Sequence, residues 1–454
     1  MNIPKTQPDI ETRLAKAQKP SADAMKLHPF YRGKIETGIK VAIRSVDDFA
    51  IWYTPGVAAS CRAIQRDPAL VYEHTSKWNT VAVVSDGTRV LGLGDIGPKA
   101  GLPVMEGKAL LFKYLGGVDA VPLMLDTKDP DEIIHTVLML QPGFGGVNLE
   151  DISQPKCFRV LDTLREKAEI PIWHDDQQGT ACVTVAGLLN ALKIVGKPVN
   201  EVRMVFIGSG AANVAISRLC FKAGVDPAKA LMVDSKGILG RGREDIYQRR
   251  AEYVDKWRLC EITNAEGRQG RIAEALVGAD VCMACSRPGP GTIKPEWVSA
   301  MAHDAIVFAC ANPVPEIWPW EAEAAGAAIV ATGRSDFPNQ VNNSLGFPGI
   351  FRGTLDVRAK TITDEMCIAA AEALAGSAPD RGLDPQCILP VMTEWEVFAR
   401  EAVAVGMKAQ EQGIAGLALS ADELYRHAAD MIHRSRHITE AMMEQGFIEQ
   451  PPAD

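Results

Sequence analysis

Val202-Arg-Met-Val-Phe-Ile-Gly-Ser-Gly-Ala-Ala-Asn213 decides the fold. The apolar run Val202–Ile207 reads as a buried strand, Gly208 and Gly210 as a tight turn, and Ala211–Lys222 as a helix opening on that turn. This order aims the helix's unpaired N–H groups at an anion, as a dinucleotide pyrophosphate requires. Gly208 permits the turn and Gly210 lets backbone approach phosphate, with Ser209, Ala211 and Ala212 beside them. The next strand, Ala230–Val233, ends on Asp234, placed to accept from a ribose hydroxyl. Asn213 holds the position of a third glycine, so slightly looser helix–strand packing is expected. NAD or NADP is the expected cofactor. Asp234 repels a 2′-phosphate, whereas Lys236 (after Ser235), Arg241 and Arg243 could neutralise it, so the sequence leaves the choice open.

A more literal Gly-x-Gly-x-x-Gly occurs at Gly92-Leu-Gly-Asp-Ile-Gly97. Pro98 and Gly101 follow it, so no helix is expected to open there, and no acidic residue ends a second strand at the required distance. It is set aside as a phosphate loop.

Outward from these loops, strand-like runs alternate with helical patterns. Val81–Val84, Ala120–Leu125 and Gly146–Leu149 read as strands; Val104–Leu115 and Asp131–Leu140 read as helices. Further strands are expected at Val281–Ala284, Ala305–Phe308 and Ala327–Val330, with a helix at Ile272–Val277. After about Val357 the chain turns helical (Glu365–Ala373, Glu394–Gln412, Glu423–Gln445). The expectation is an α/β protein in three parts. Residues 1–165 form a substrate domain, 166–355 a Rossmann-like dinucleotide domain, and 356–454 helices packing back on the body.

The 454 residues, with net charge −9 and no block of like charge, argue against nucleic acid as a partner. Ten scattered cysteines do not form a secreted disulfide scaffold. Cys282-Met-Ala-Cys285 lacks the second pair of a zinc set and reads as strand thiols. Met1–Lys19 is polar, and no apolar run reaches bilayer-spanning length, so a cytoplasmic protein is expected.

Glu150-Asp151 ends one strand, and Asp175-Asp176 follows the short run Ile170–Trp173. Carboxylates at strand ends suit a hard, oxygen-ligated cation such as Mg2+ or Mn2+ able to chelate a 2-hydroxy acid. Equally, Asp175 or Asp176 could cap the helix beginning near Gly179, and Glu150 the one after Gln154. Spacing alone does not separate these readings.

At these residues the chain resembles the malic enzymes, from about Tyr31 to beyond Asn343. The matching segments are Tyr53-Thr-Pro-Gly-Val57, Leu91-Gly-Leu-Gly-Asp95, Met105-Glu-Gly-Lys-Ala109, Asn148-Leu-Glu-Asp151, His174-Asp-Asp-Gln-Gln-Gly-Thr180, Ala311-Asn-Pro313 and Pro338-Asn-Gln-Val-Asn-Asn343. The resemblance implies metal ligands at Glu150, Asp151 and Asp176, a general base at Lys108 with Asp175 as its partner, and a general acid at Tyr53. It implies substrate binding by Asn312, Asn342 and Asn343, with Asn312 also near the cofactor, and by Arg89, which shorter members often lack. Gln178 stands where many short members have His. Lys108 and Lys113 lie roughly 140° apart on a helix, so one alone can face a site. The implied reaction is oxidative decarboxylation of (S)-malate to pyruvate and CO2 with reduction of NAD or NADP, in a homodimer or larger assembly. The rivals are a malolactic-type or oxaloacetate-decarboxylating enzyme of the same superfamily, or a non-catalytic dinucleotide-binding sensor.

Overall fold

The computed structural model describes residues 7–378 and 382–451. The first six residues of the polar N-terminal stretch and the chain end beyond 451 lie outside the described residues. Short apolar runs buried on both faces make parallel strands, because helices cover each side of the sheet. Strands β1 (Thr80–Ser85), β2 (Asp119–Met124), β3 (Gly146–Leu149) and β4 (Ile172–His174) form a parallel sheet in the order β2-β1-β3-β4. The second sheet comprises β5 (Met204–Ile207), β6 (Leu231–Asp234), β7 (Gly237–Ile238), β8 (Val281–Ala284), β9 (Ala305–Ala309) and β10 (Ala327–Thr332). Its order is β10-β9-β8-β5-β6-β7, parallel except for β7. Because β6 and β8 flank β5 on opposite sides, the order reverses at the end of β5, where open α/β sheets bind ligands. The expected strands are present, with ends shifted by one or two residues.

His174 leads from β4 into a single wide turn, Asp175–Gly179, closed by Thr180 N–H to Asp175 O, which continues as the helix Thr180–Val195. Asp175–Val195 is long and apolar enough to cross a bilayer, but it is largely buried inside the protein against helices Ala211–Lys222 and Asp364–Ser377. Helices Phe347–Asp356, Asp364–Ser377, Trp395–Glu411 and Ala421–Glu444 fold back on the body; the last packs on Gly97–Gly116.

Two expectations fail. A helix does open at Gly97, running to Gly116. Pro98 lies in its first turn, where a missing N–H breaks no bond. The preceding loop departs from a phosphate cradle for another reason. It curls back on itself through a Val90–Gly94 bridge, and a Cβ on Gly92 would lie 2.4 Å from the Asn312 carbonyl. Nor does Asn213 loosen the dinucleotide turn. Fully buried, it donates from Nδ2 to Ile207 O (2.8 Å) and Gly208 O (2.9 Å), replacing close approach with hydrogen bonds.

Candidate active site

The helix Gly97–Gly116 delivers Lys108 to the ends of β3 and β4. Its Nζ lies 2.5 Å from Asp175 Oδ2 and 3.1 Å from Glu150 Oε1, with the Phe347 ring 4.3 Å away. Lys108 is only 7% exposed. Lys113, on the other side of the helix, pairs with Asp119 at 2.6 Å, as the angular separation requires. Burial by itself would lower the Lys108 pKa, but the Asp175 and Glu150 carboxylates overrule it and hold the ammonium above its ordinary range.

Glu150, Asp151 and Asp176 each offer a carboxylate oxygen, all within 4.8 Å of one another. Burial first, then the Asp176 charge, pushes the Asp151 carboxyl up to about 8. Glu150 is pushed up by burial against the opposing pull of Lys108. Asp151 adopts a left-handed backbone (φ 56°), its carbonyl accepts from Arg89 N–H, and its buried Oδ2 has no partner among the described residues. Such strain and an orphaned oxygen, beside two further carboxylates, fit a divalent cation with oxygen ligands. The capping alternative falls. The helix begins at Asp175 itself, with no side-chain cap, and Lys156–Lys167 is preceded by Pro155 without one.

Supporting residues hold these groups. Asn148 Nδ2 donates to Glu150 Oε2 (2.8 Å), Trp173 Nε1 to Asp175 Oδ1 (3.0 Å), and Asp151 N–H to Asp176 Oδ2 (2.8 Å). Gln178 Oε1 accepts from the His174 N–H. A Cβ on Gly179 would lie 1.9 Å from Asp175 Oδ1, so the wide turn requires glycine there. Asn148, Trp173 and Gly179 escaped selection in the sequence, although each belongs to or adjoins a matching segment; nothing in their spacing distinguishes support from packing.

The remaining site residues are placed less uniformly. Arg89 is exposed, donates to Leu91 O, and lies near enough for its charge to act on Asp151. Asn343 packs toward Gly179, whereas Asn342 spends its Oδ1 capping Ser344 N–H. Asn312 is exposed beside Gly92. Tyr53 stands apart. It is 74% exposed, and its hydroxyl has no partner among the described residues.

Beside this cluster runs a cleft of about 1040 Å3 lined by Gly208, Ser209, Gly210, Asp234, Ser235 and Lys236, with Gln154 and Lys156 opposite. Gly208 requires glycine twice over, for its φ of 97° and for a would-be Cβ 2.7 Å from Cys285 O. Ala211 and Ala212 open the following helix. Asp234 is heavily engaged. It accepts from Arg243, from Lys256 (2.7 Å), and from Lys236 and Gly237 N–H groups, which outweigh burial and lower its pKa. Lys236 Nζ reaches Asp245 and Arg241 the Glu261 carbonyl.

Residues 32–165 match the malic enzyme N-terminal domain, and residues 177–410 the malic enzyme NAD-binding domain. The chain is 48% identical over 406 residues to the bifunctional malic/malolactic enzyme of Bacillus subtilis, covering 88% of this chain and 96% of that one. It is 48% identical over 385 residues to the NAD-dependent malic enzyme of Geobacillus stearothermophilus, covering 84% and 78%. The crystal structure of Entamoeba histolytica malic enzyme superposes with a TM-score of 0.95 at 50% identity, covering 99% of this chain and 94% of that one. The chain belongs to the malic enzyme family.

Proposed function

We propose that this protein is a metal-assisted malic enzyme, oxidatively decarboxylating malate to pyruvate and CO2 with NAD or NADP. The observation carrying this reading is the buried Lys108, within 2.5 Å of Asp175 and 3.1 Å of Glu150, beside a three-carboxylate cluster next to the Gly208 cleft. Glu150, Asp151 and Asp176 would hold a divalent ion (Mg2+ or Mn2+), which when bound would supply positive charge and offset the carboxylates' pull on Lys108, while the nicotinamide would supply the hydride acceptor. Lys108 takes the proton of the C2 hydroxyl, and Asp175, fixed by Trp173, orients it. Arg89 and Asn343 bind the malate carboxylates, with Asn312 on the nicotinamide side. Tyr53 returns a proton to C3 once CO2 has left.

Tyr53 serves that role from a second copy of the chain. Its exposure, and the apolar Val46, Phe49, Ile51 and Trp52 exposed just before it, suit a homodimer in which this segment inserts into the partner's site. For the cofactor, Arg243 and Lys256 neutralise Asp234, so repulsion of a 2′-phosphate is offset and both nicotinamide cofactors are accommodated. Ten free cysteines fit a reducing, cytoplasmic compartment. The test is formation of reduced cofactor from malate and Mn2+, with each cofactor, before and after stripping metal with a chelator. Chelation abolishes it and Lys108→Ala lowers kcat by at least roughly a hundredfold. Activity indifferent to both sinks the reading.

A further inference from the structure

Cys285 and Cys310 each lie one residue beyond the ends of adjacent strands. The parallel register of β8 and β9 pairs Ala284 with Ala309, so the next pair is Cys285 with Cys310. The ladder continues through them, with Cys310 N–H donating to Ala284 O (2.9 Å) and Cys285 N–H to Ile207 O (3.1 Å). Both side chains face the same core as Met283 and Phe308, while Ala284 and Ala309 face the opposite one. Directly opposed strand positions hold their Cα atoms about 5 Å apart, within the span a disulfide accepts. The neighbouring Cys310 thiol, then burial, pushes the Cys285 thiol well above its usual range. Both are half-buried, unlike Cys282, Cys220 and Cys367, which are sealed in the core.

Their position gives the pair consequence. The Cys285 carbonyl lies so near Gly208 of the dinucleotide turn that a Cβ there would come within 2.7 Å of it. Ser286 and Ala311, the residues after each cysteine, both donate their N–H to the buried Glu316, and Asn312 comes next. The pair thus lies under the dinucleotide turn and on the strand leading to Asn312.

We propose that Cys285 and Cys310 form a redox-active dithiol beneath the dinucleotide turn, which hydrogen peroxide closes to a disulfide and which thereby weakens cofactor binding. Cys310 sulfur attacks the peroxide, its thiol proton leaving with the departing oxygen as water, and becomes a sulfenic acid. Cys285 then displaces the hydroxyl as a second water, forming the S–S bond. Two electrons leave the sulfurs and reduce one peroxide to two waters. A bond of about 2.05 Å replaces a longer thiol contact and draws the two strand ends together beneath Gly208.

The full-length protein is treated with hydrogen peroxide and digested without reductant. The expected result is a Cys285–Cys310 cross-linked peptide, a several-fold rise in KM for the cofactor, and reversal of both by dithiothreitol. Cofactor at saturation slows cross-linking, and Cys285→Ala and Cys310→Ala each keep their own untreated KM after peroxide. Failure to find that peptide overturns the proposal, whatever reaction the enzyme performs. So does a cross-link that leaves KM unchanged, or an equal KM rise in either variant.

Discussion

Lys108 shows what one position inherits from its surroundings. On a helix a lysine is ordinarily solvated; here two carboxylates and an aromatic face hold a buried ammonium. Gly179 is the least substitutable of its neighbours. Gly179→Ala puts a methyl 1.9 Å from Asp175 Oδ1, forcing Asp175 away from Lys108. It is expected to lower kcat on the order of a hundredfold, as misplacement by about 1 Å does. Near-wild-type kcat would show that Asp175 has room to move without harm. This residue-level detail was only partly legible in the sequence. Lys108, Tyr53 and Asp175 took their roles from family resemblance, because lysine, tyrosine and aspartate at these spacings are usually surface or packing residues. The carboxylate cluster was readable as metal ligands or as helix caps, and a wide turn beginning at Asp175 with no side-chain cap removes the capping reading there.

At the scale of elements, strand runs such as Gly146–Leu149 and Val281–Ala284 were legible because parallel strands are buried on both faces and carry unbroken apolar runs. The start of the Gly97–Gly116 helix was not, although Val104–Leu115 was, since Pro98 and Gly101 read as breakers when position within the helix is unknown. Nor did the sequence reveal what helix Trp395–Glu411 conceals. Gly353 lets it approach until a Cβ there would lie 2.2 Å from Ala402 O, and the neighbouring Glu401 is entirely buried with neither carboxyl oxygen partnered among the described residues. Burial raises the Glu401 pKa well above the carboxylate range. The folded state therefore keeps its proton while the unfolded chain releases it near pH 4.3. Stability from this group is complete below that pH and falls as pH rises toward the folded pKa, by about 1.4 kcal/mol per unit at most. Glu401→Gln removes the loss, so its melting temperature gains on the wild type from pH 5 to pH 7. A constant gap across that range would mean Glu401 does not stay protonated in the fold.

At the scale of the whole molecule, the fold puts a three-carboxylate cluster and a dinucleotide cleft side by side but leaves Tyr53 outside, 74% exposed. Hydrophobic patterning identified both sheets, yet the role proposed for Tyr53, completing a site in a second copy, leaves no periodic signal. Tyr53→Phe and Lys108→Ala proteins, each nearly inactive, should regain activity when unfolded, mixed and refolded together. One site in each mixed dimer is then intact, giving about a quarter of wild-type turnover. No recovery would place Tyr53 and Lys108 of a single chain in one site.

The most direct test of oxidative decarboxylation follows the C4 carboxyl carbon of malate labelled at that position, with Mn2+ and either cofactor. One labelled CO2 should appear for each reduced cofactor formed, with pyruvate as the remaining product. Lactate without net cofactor reduction, or oxaloacetate accumulating with the label retained, would contradict the account.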